Sequence, residues 1–324
     1  MPVEESKLGL VLGSGASRGL AHIGVIKILE KYDVKIGSVT GTSIGALIGG
    51  LYASGMTGKQ MEEIACNTDW RTVAKVFLPT LFRNTSFAGK YLKEFITALV
   101  GDTDFKDLNI PFACVTTDLL SGDEIIVDKG SLSEAILASL ALPGLFKPVQ
   151  TGGRLLVDGG LVNPLPVSLA KYLGAEMTIA VNVTPPMDRP MKKLKVKSAR
   201  KSSFLKFADN SKILSERLSL YFKIADNLKD EKFLFFDPGR PKKGMKVPSL
   251  METATQAVVI MQNQIIKLKL GEHPTNILIE PDVSQFQLLD FSDAKKIIKQ
   301  GEIETEKHIG KIFNIIEKME KLSI

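Results

Sequence analysis

Over its first 185 residues the chain alternates short apolar runs with helical patterns, which restricts its fold more than any other feature. Leu8 to Gly13 is a continuous apolar run ending in glycines, the pattern of a strand buried on both faces. Gly19 to Tyr32 then spaces Leu20, Ile23, Ile26, Ile28 and Leu29 as one face of a helix, with Lys27, Glu30 and Lys31 opposite. Ile36 to Gly41 reads as a second strand and Ile44 to Ser54 as a helix of small residues. Thr57 with Gln60 forms a capping box that starts a helix through Cys66. Strands are expected at Pro111 to Asp118, Glu124 to Asp128, Leu155 to Asp158 and Met177 to Val183. Helices are expected near Phe87 to Val100, Ser131 to Leu140 and Pro164 to Leu173. Strand and helix in alternation predict an α/β protein, with a mostly parallel central sheet covered by helices on both faces.

Beyond Val183 the pattern changes. Pro185, Pro186 and Pro190 open a basic stretch, followed by helical patterns at Phe207 to Leu228 and Leu250 to Leu270. One late strand, Asn276 to Glu280, precedes a closing helix from Ser292 to about Lys321, and it is free to extend a separate lobe or to rejoin the first sheet. The expected organisation is a core over residues 1–187, a basic connector over 188–206, and a mainly helical C-terminal extension over 207–324 packed on the core. With 44% hydrophobic and 24% charged residues, the composition excludes a disordered chain, a collagen-like repeat and a disulfide scaffold. A chain of 324 residues also buries enough surface to dispense with a metal or a bridge as a staple.

Charge is unevenly spread. Residues 1–187 carry 16 Lys/Arg and 18 Asp/Glu, a net of −2, and the remainder carries 26 and 18, a net of +8, which sums to the overall +6. Arg189 to Lys206 holds eight basic residues and no acidic one, a block suited to an anionic surface or to a solvated connector. Cys66 and Cys114 lack C-x-x-C spacing and read as two reduced, buried thiols of a cytosolic protein. His22, His273 and His308 have no ligand spacing, so no metal is expected. The opening residues have no basic segment followed by a long apolar one, and no uncharged apolar stretch reaches 18 residues. The expected location is cytoplasmic.

Two glycine-bracketed turns carry candidate chemistry. Gly41-Thr42-Ser43-Ile44-Gly45 follows a strand and opens a helix, the G-x-S-x-G pattern that lifts a serine hydroxyl onto a sharp turn at a helix N-terminus. The alternative is a purely structural turn. Gly13-Ser14-Gly15-Ala16-Ser17-Arg18-Gly19 also joins a strand to a helix. As a dinucleotide loop it has Arg18 where the third glycine belongs, although Asp33 stands about 20 residues on, where a ribose-binding acid falls. It lacks the Gly-Lys-Ser/Thr ending of a phosphate loop. The remaining reading is an oxyanion loop of exposed backbone amides.

A nucleophilic serine needs a base. His273 sits in a Gly-Glu-His-Pro turn and His308 on a charged helix, and neither setting is special. His22, one turn beyond Arg18, suits a role in supporting the glycine loop or in core packing. Asp158, in Leu155-Leu156-Val157-Asp158-Gly159-Gly160, ends an apolar strand, where α/β proteins place their reactive groups; a glycine-capped Asx turn accounts for the same residues.

In this order, these pieces resemble the patatin-like phospholipase family. The resemblance is carried by the glycine loop with its arginine, Gly41 to Gly45, Thr117-Asp118-Leu119, the block Ala138 to Pro148, and Val157 to Val167. It runs from about Leu8 to Val183, and Gln256 to Glu306 is similar to the C-terminal part of bacterial members related to neuropathy target esterase. It implies a patatin-like three-layer sandwich and a serine acyl hydrolase with a Ser–Asp dyad, no histidine and no cofactor. By motif position Ser43 is the nucleophile, set between Gly41 and Gly45, and Asp158 with Gly159 and Gly160 supplies the base. Gly13, Gly15, Ala16, Arg18 and Gly19 form the oxyanion loop, with the amides around Gly15 and Ala16 as donors and Arg18 as its brace. Many members have three or four consecutive glycines here. Ser14 and Ala16 replace two of them, which preserves the loop where φ > 0 is not needed at those positions.

The substrate expected from the resemblance is a phospholipid or lysophospholipid, with Leu142, Leu145 and Phe146 as acyl-pocket walls. A carboxylate base for serine calls for a dry, apolar site. The alternative readings are a weakly active or non-catalytic regulatory scaffold and, from the imperfect glycine loop, a nicotinamide-dependent oxidoreductase. No nucleic-acid partner is expected, and nothing in the sequence bears on oligomeric state. The connector is expected to touch anionic membrane. Neutralising Lys192, Lys193, Lys195 and Lys197 together should weaken sedimentation with anionic vesicles at low salt. Unchanged sedimentation would show the block to be a spacer.

Overall fold

The computed structural model describes residues 7–68, 86–143, 146–186, 250–288 and 290–322. One mixed sheet runs through them. Its parallel part consists of β1 (Leu8–Leu12), β2 (Ser38–Thr42), β3 (Phe112–Asp118), β7 (Met177–Val181) and β8 (Ile277–Ile279). The remaining strands are β4 (Glu124–Val127), β5 (Val149–Thr151) and β6 (Arg154–Asp158), and the sheet order is β5-β6-β3-β2-β1-β7-β8, with β4 also on β3. β1 lies at the centre, with Val11 opposite Thr40 on one side and Ala180 on the other. β6 runs antiparallel to β3 and forms a hairpin with β5, so one edge of the sheet departs from the parallel pattern. The short β5 has no signal of its own in the sequence. It exists because Gly152 and Gly153, both at positive φ, turn the chain tightly back before β6.

Helices cover both faces. On one lie α1 (Ala21–Lys31), α2 (Ile44–Ala53), α3 (Gly58–Asn67), α4 (Ser86–Val100), α5 (Leu132–Ser139) and α8 (Ala294–Leu322). On the other lie α6 (Val167–Tyr172) and α7 (Leu250–Glu272). The two faces explain the composition of β1: Leu8, Leu10 and Leu12 enter the large core, while Val11 packs on Leu165, Val167 and Ile266 behind it. The capping box at Thr57 and Gln60 is formed, starting α3. Cys114 is buried on β3, whereas Cys66, expected inside, is exposed on the outer side of α3.

The late strand joins the first sheet. β8 pairs in parallel with β7, Ala180 opposite Leu278, and residues 254–324 belong to the same compact unit as residues 1–190. Residues 191–253 form a second unit, described only from Leu250. The basic connector and the helical pattern at Phe207 to Leu228 therefore lie outside the described residues.

α8 packs along α1, which begins just after the glycine loop. The contact is backbone to backbone: a Cβ on Gly301 would lie 1.9 Å from the Ala21 carbonyl oxygen, and one on Gly24 would lie 2.0 Å from that of Ile298. Lys27 on α1 pairs with Glu302 of α8 and, at 2.6 Å, with Glu62 of α3, closing the contact from its polar side. A matched pair of variants tests this packing. Gly310, on the same helix, has open space around its Cα, so Gly310→Ala should raise stability by up to about 1 kcal/mol through helix propensity. Gly301→Ala carries the same propensity gain yet should destabilise by about 1–3 kcal/mol, because backbone blocks the methyl. Urea midpoints shifting in the same direction for both would contradict this account.

Candidate functional site

The site is built at the carboxyl ends of β1, β2 and β6. After Thr42 the chain turns from β2 into α2 within one residue, and Ser43 takes φ 57 and ψ −122, a conformation costly for an L residue. The flanking glycines are required by contact. A Cβ on Gly41 would meet the Gly45 carbonyl oxygen at 2.3 Å, and one on Gly45 would meet that of Leu12 at 2.1 Å. Such approaches admit no side chain, so the helix starts hard against β1 and the serine stands at its head.

Asp158 ends β6, fully inside the protein. Its Oδ2 accepts the Ser43 hydroxyl at 2.6 Å, and its Oδ1 accepts the Gly160 amide at 2.7 Å. The Gly160 bond is the Asx turn read from the sequence, present together with the serine contact. Burial pushes the carboxyl up to about 6, against the downward pull of those two donors. Gly159 is again a contact glycine, with Val115 carbonyl oxygen 2.2 Å from where its Cβ would be. The main chain on either side is also held: the Asp158 amide donates to the Ala141 carbonyl at 3.0 Å, and the Ser43 amide donates to Ser139 Oγ at 2.8 Å.

The glycine loop lies beside this pair. The Gly13 amide donates to Val181 and the Ser14 amide to Pro164, tying the loop to β7 and to the segment after Asp158. A short 3-10 turn, Ala16–Leu20, follows, and Gly19 rests on Ile44 so closely that a Cβ would meet Ile44 Cγ2 at 2.2 Å. Among the described residues, the amides of Gly15 and Ala16 donate to no other group, whereas those of Ser17 and Arg18 are engaged by Leu288 and Gly15. Arg18 turns its guanidinium away from the serine: Nε donates to the Phe286 carbonyl at 2.9 Å, and burial lowers its pKa to about 10 against the opposing charge of Asp290. Ser14 keeps negative φ. Ala16 does not, at φ 50, so the loop imposes a left-handed residue at one of the two positions where glycine is replaced.

The histidines separate clearly. His22 is fully buried, its Nε2 bonded to the Gly13 carbonyl at 2.8 Å, and burial lowers its pKa to about 4, so it is a neutral prop beneath the loop. His273 precedes β8 at the opposite end of the sheet, and His308 bonds to the Glu304 carbonyl of its own helix. Asp33 precedes β2, also at that opposite end, exposed and paired with Lys35, so it cannot serve a dinucleotide bound at the glycine loop. Leu142 and Phe146 are partly buried near the dyad segment, and Leu145 lies outside the described residues.

Two contributors were not singled out by the sequence reading, although Asn163 lies within the Val157 to Val167 block. Gln262 of α7 donates to the Gly160 carbonyl at 3.2 Å and to Ser14 Oγ at 3.4 Å, bridging the Asp158 turn and the glycine loop. Asn163 accepts the Thr42 hydroxyl through its carbonyl at 2.8 Å and donates to Glu124, which also receives Lys269 of α7. Among the described residues there is no cluster of three or more His, Cys, Asp or Glu able to hold a metal, and no helix long and apolar enough to cross a membrane.

Known proteins similar to this chain point to one family. The family model described as patatin-like phospholipase matches residues 10–171. An uncharacterized NTE family protein of Mycobacterium tuberculosis is 29% identical over 91% of this chain and 89% of its own length. The human patatin-like phospholipase domain-containing protein 6 is 37% identical over 54% of this chain, which corresponds to 13% of that protein. Lysophospholipase NTE1 of Scheffersomyces stipitis is 36% identical over 56% of this chain and 12% of its own length. With a glycine loop, a serine elbow and an Asp-Gly-Gly turn at one end of the sheet, the chain belongs to the patatin-like phospholipase family, a family of lipid hydrolases.

Proposed function

We propose that the protein hydrolyses acyl esters of phospholipids or lysophospholipids through an acyl-Ser43 intermediate, with Asp158 as the base. One observation carries the reading: the Ser43 hydroxyl donates to Asp158 Oδ2 at 2.6 Å, inside a site dry enough to raise the carboxyl to about 6. A more basic carboxylate is a better proton acceptor for a serine hydroxyl, and it remains ionised at neutral pH.

Asp158 takes the hydroxyl proton as Oγ attacks the ester carbonyl. The amides of Gly15 and Ala16 receive the negative oxygen of the tetrahedral intermediate, and the strained Ala16 aims them. As the intermediate collapses, the proton passes from Asp158 to the departing alcohol. Asp158 then deprotonates a water that attacks the acyl-serine, the fatty acid leaves, and Ser43 regains its proton. Leu142 and Phe146, partly buried just after Ala141, are the proposed walls for an acyl chain. The lysophospholipase name of the fungal relative supports a lipid ester over other acyl compounds.

Labelling with a fluorophosphonate tests the dyad without a choice of substrate. The wild type should label, and Ser43→Ala and Asp158→Asn should each lose labelling while remaining folded. A well-folded wild type that stays unlabelled with vesicles present would instead mark the chain as a non-catalytic scaffold. Asp158→Asn should also melt higher than wild type at pH 7. A carboxyl raised in the folded state contributes stability below its ordinary value that is lost as pH rises through about 6, which amounts to about 3 kcal/mol at most.

The same group sets a pH profile. The carboxylate must be ionised to act, so kcat/KM for a soluble chromogenic ester should fall about tenfold for each pH unit below about 6 and level off above about 7. A profile that is flat between pH 4.5 and 8 would exclude Asp158 as the base.

A further inference from the structure

We propose that Ser139 is a positioning residue for the dyad, its hydroxyl fixing the backbone of Ser43 so that Oγ points at Asp158; this rests on the reading of Ser43 and Asp158 as the reacting pair. The ladder between β2 and β3 ends at Thr42 opposite Val115. One residue later the strands part, and the Ser139 hydroxyl occupies the gap. It accepts the Ser43 amide at 2.8 Å and donates its own proton to the Val115 carbonyl at 2.7 Å. Because an amide can only donate and a carbonyl can only accept, the hydroxyl proton has one direction, and the group acts as a fixed wedge.

The wedge sits where strain has to be held. Ser43 keeps φ 57 without the freedom of glycine, and relaxing to negative φ would swing its amide away from Ser139. Ser139 is fully buried, so no water replaces the lost bond. The same short segment also grips the other partner, since the Ala141 carbonyl receives the Asp158 amide at 3.0 Å. Residues 139–141 thus hold the main chain of both dyad members, and the Val115 carbonyl that receives the Ser139 proton is the one against which Gly159 packs. The distance between hydroxyl and carboxylate is set from the end of α5, by a residue whose side chain bonds to main chain on both sides.

A purely structural serine would lose stability on truncation and leave the folded fraction fully reactive. A positioning serine loses reactivity in molecules that are folded. At saturating probe, Ser139→Ala should label with fluorophosphonate about 10- to 100-fold more slowly than wild type, with KM for a soluble ester changed less than about twofold. Ser139→Thr, which retains the hydroxyl, should recover most of the rate. Ser139→Cys, close in shape with a weaker donor and acceptor, should fall between, and it carries the test if the alanine variant does not fold. Rates equal to wild type in folded Ser139→Ala or Ser139→Cys would overturn the proposal, as would a slowing matched by the unfolded fraction in urea. A wild type that does not label at all would overturn the dyad itself, an outcome separate from wild-type labelling that Ser139 does not influence.

Discussion

The structure depends on keeping one carboxylate out of water with too few partners. Asp158 has the Ser43 hydroxyl and the Gly160 amide and is otherwise enclosed, which leaves its charge less favourable than in solvent. Such a group survives only where the surroundings cannot rearrange to hydrate or neutralise it. Here that rigidity comes from main chain packed on main chain. Gly41, Gly45 and Gly159 each remove a side chain where two backbone segments meet, so the walls of the site consist of strand and helix backbone. The enclosure that makes Asp158 basic also brings it to the serine.

The elements that close the site come from distant parts of the chain. Arg18 and Ser17 fasten the glycine loop to the carbonyls of residues 286 to 288, while Gln262 spans the loop and the Asp158 turn. The Thr42–Asn163–Glu124–Lys269 chain of bonds ties β2 to α7 behind the elbow. The C-terminal residues therefore belong to the site as much as to the fold. β8 extends the sheet and α8 braces α1, so removing them would release the loop along with the core beneath it. The candidate site and the fold therefore share these contacts.

How much of this could be read beforehand followed the range of each interaction. The elbow and the Asp-Gly-Gly turn were legible because each displays a strand end, glycines and one reactive side chain within five or six residues, even though Gly45 and Gly159 are required by contacts with distant Leu12 and Val115. β1 was legible for the same reason, since burial on both faces writes itself as an unbroken apolar run. Gln262 was not, because it is an ordinary polar residue locally and acquires its role from partners about 100 to 250 positions away. Ser139 and Asn163 lie within blocks that carry the family resemblance, yet nothing local assigns their bonds to Ser43 and Glu124. Cys66 misled because it was placed inside from cysteine usage alone, whereas Glu62 and Glu63, its neighbours at helical spacing on α3, mark the outer face.

Backbone strain separates the two kinds of turn in this protein. Among the described residues three non-glycine residues have positive φ, and Asp33 is the uninformative one, an exposed residue between α1 and β2 of a type that enters this region at small cost. Neither Ala16 nor Ser43 has an Asx side chain to make it easy, and Ser43 is also buried. The glycine loop that holds Ala16 is pressed against α2 where Gly19 meets Ile44, and the Ser43 amide is held by Ser139. In the proposed mechanism both bracket the place of the ester carbonyl. Strain held by buried contacts on two sides of one point is spent on orientation, because any relaxation would turn an amide or a hydroxyl away from it.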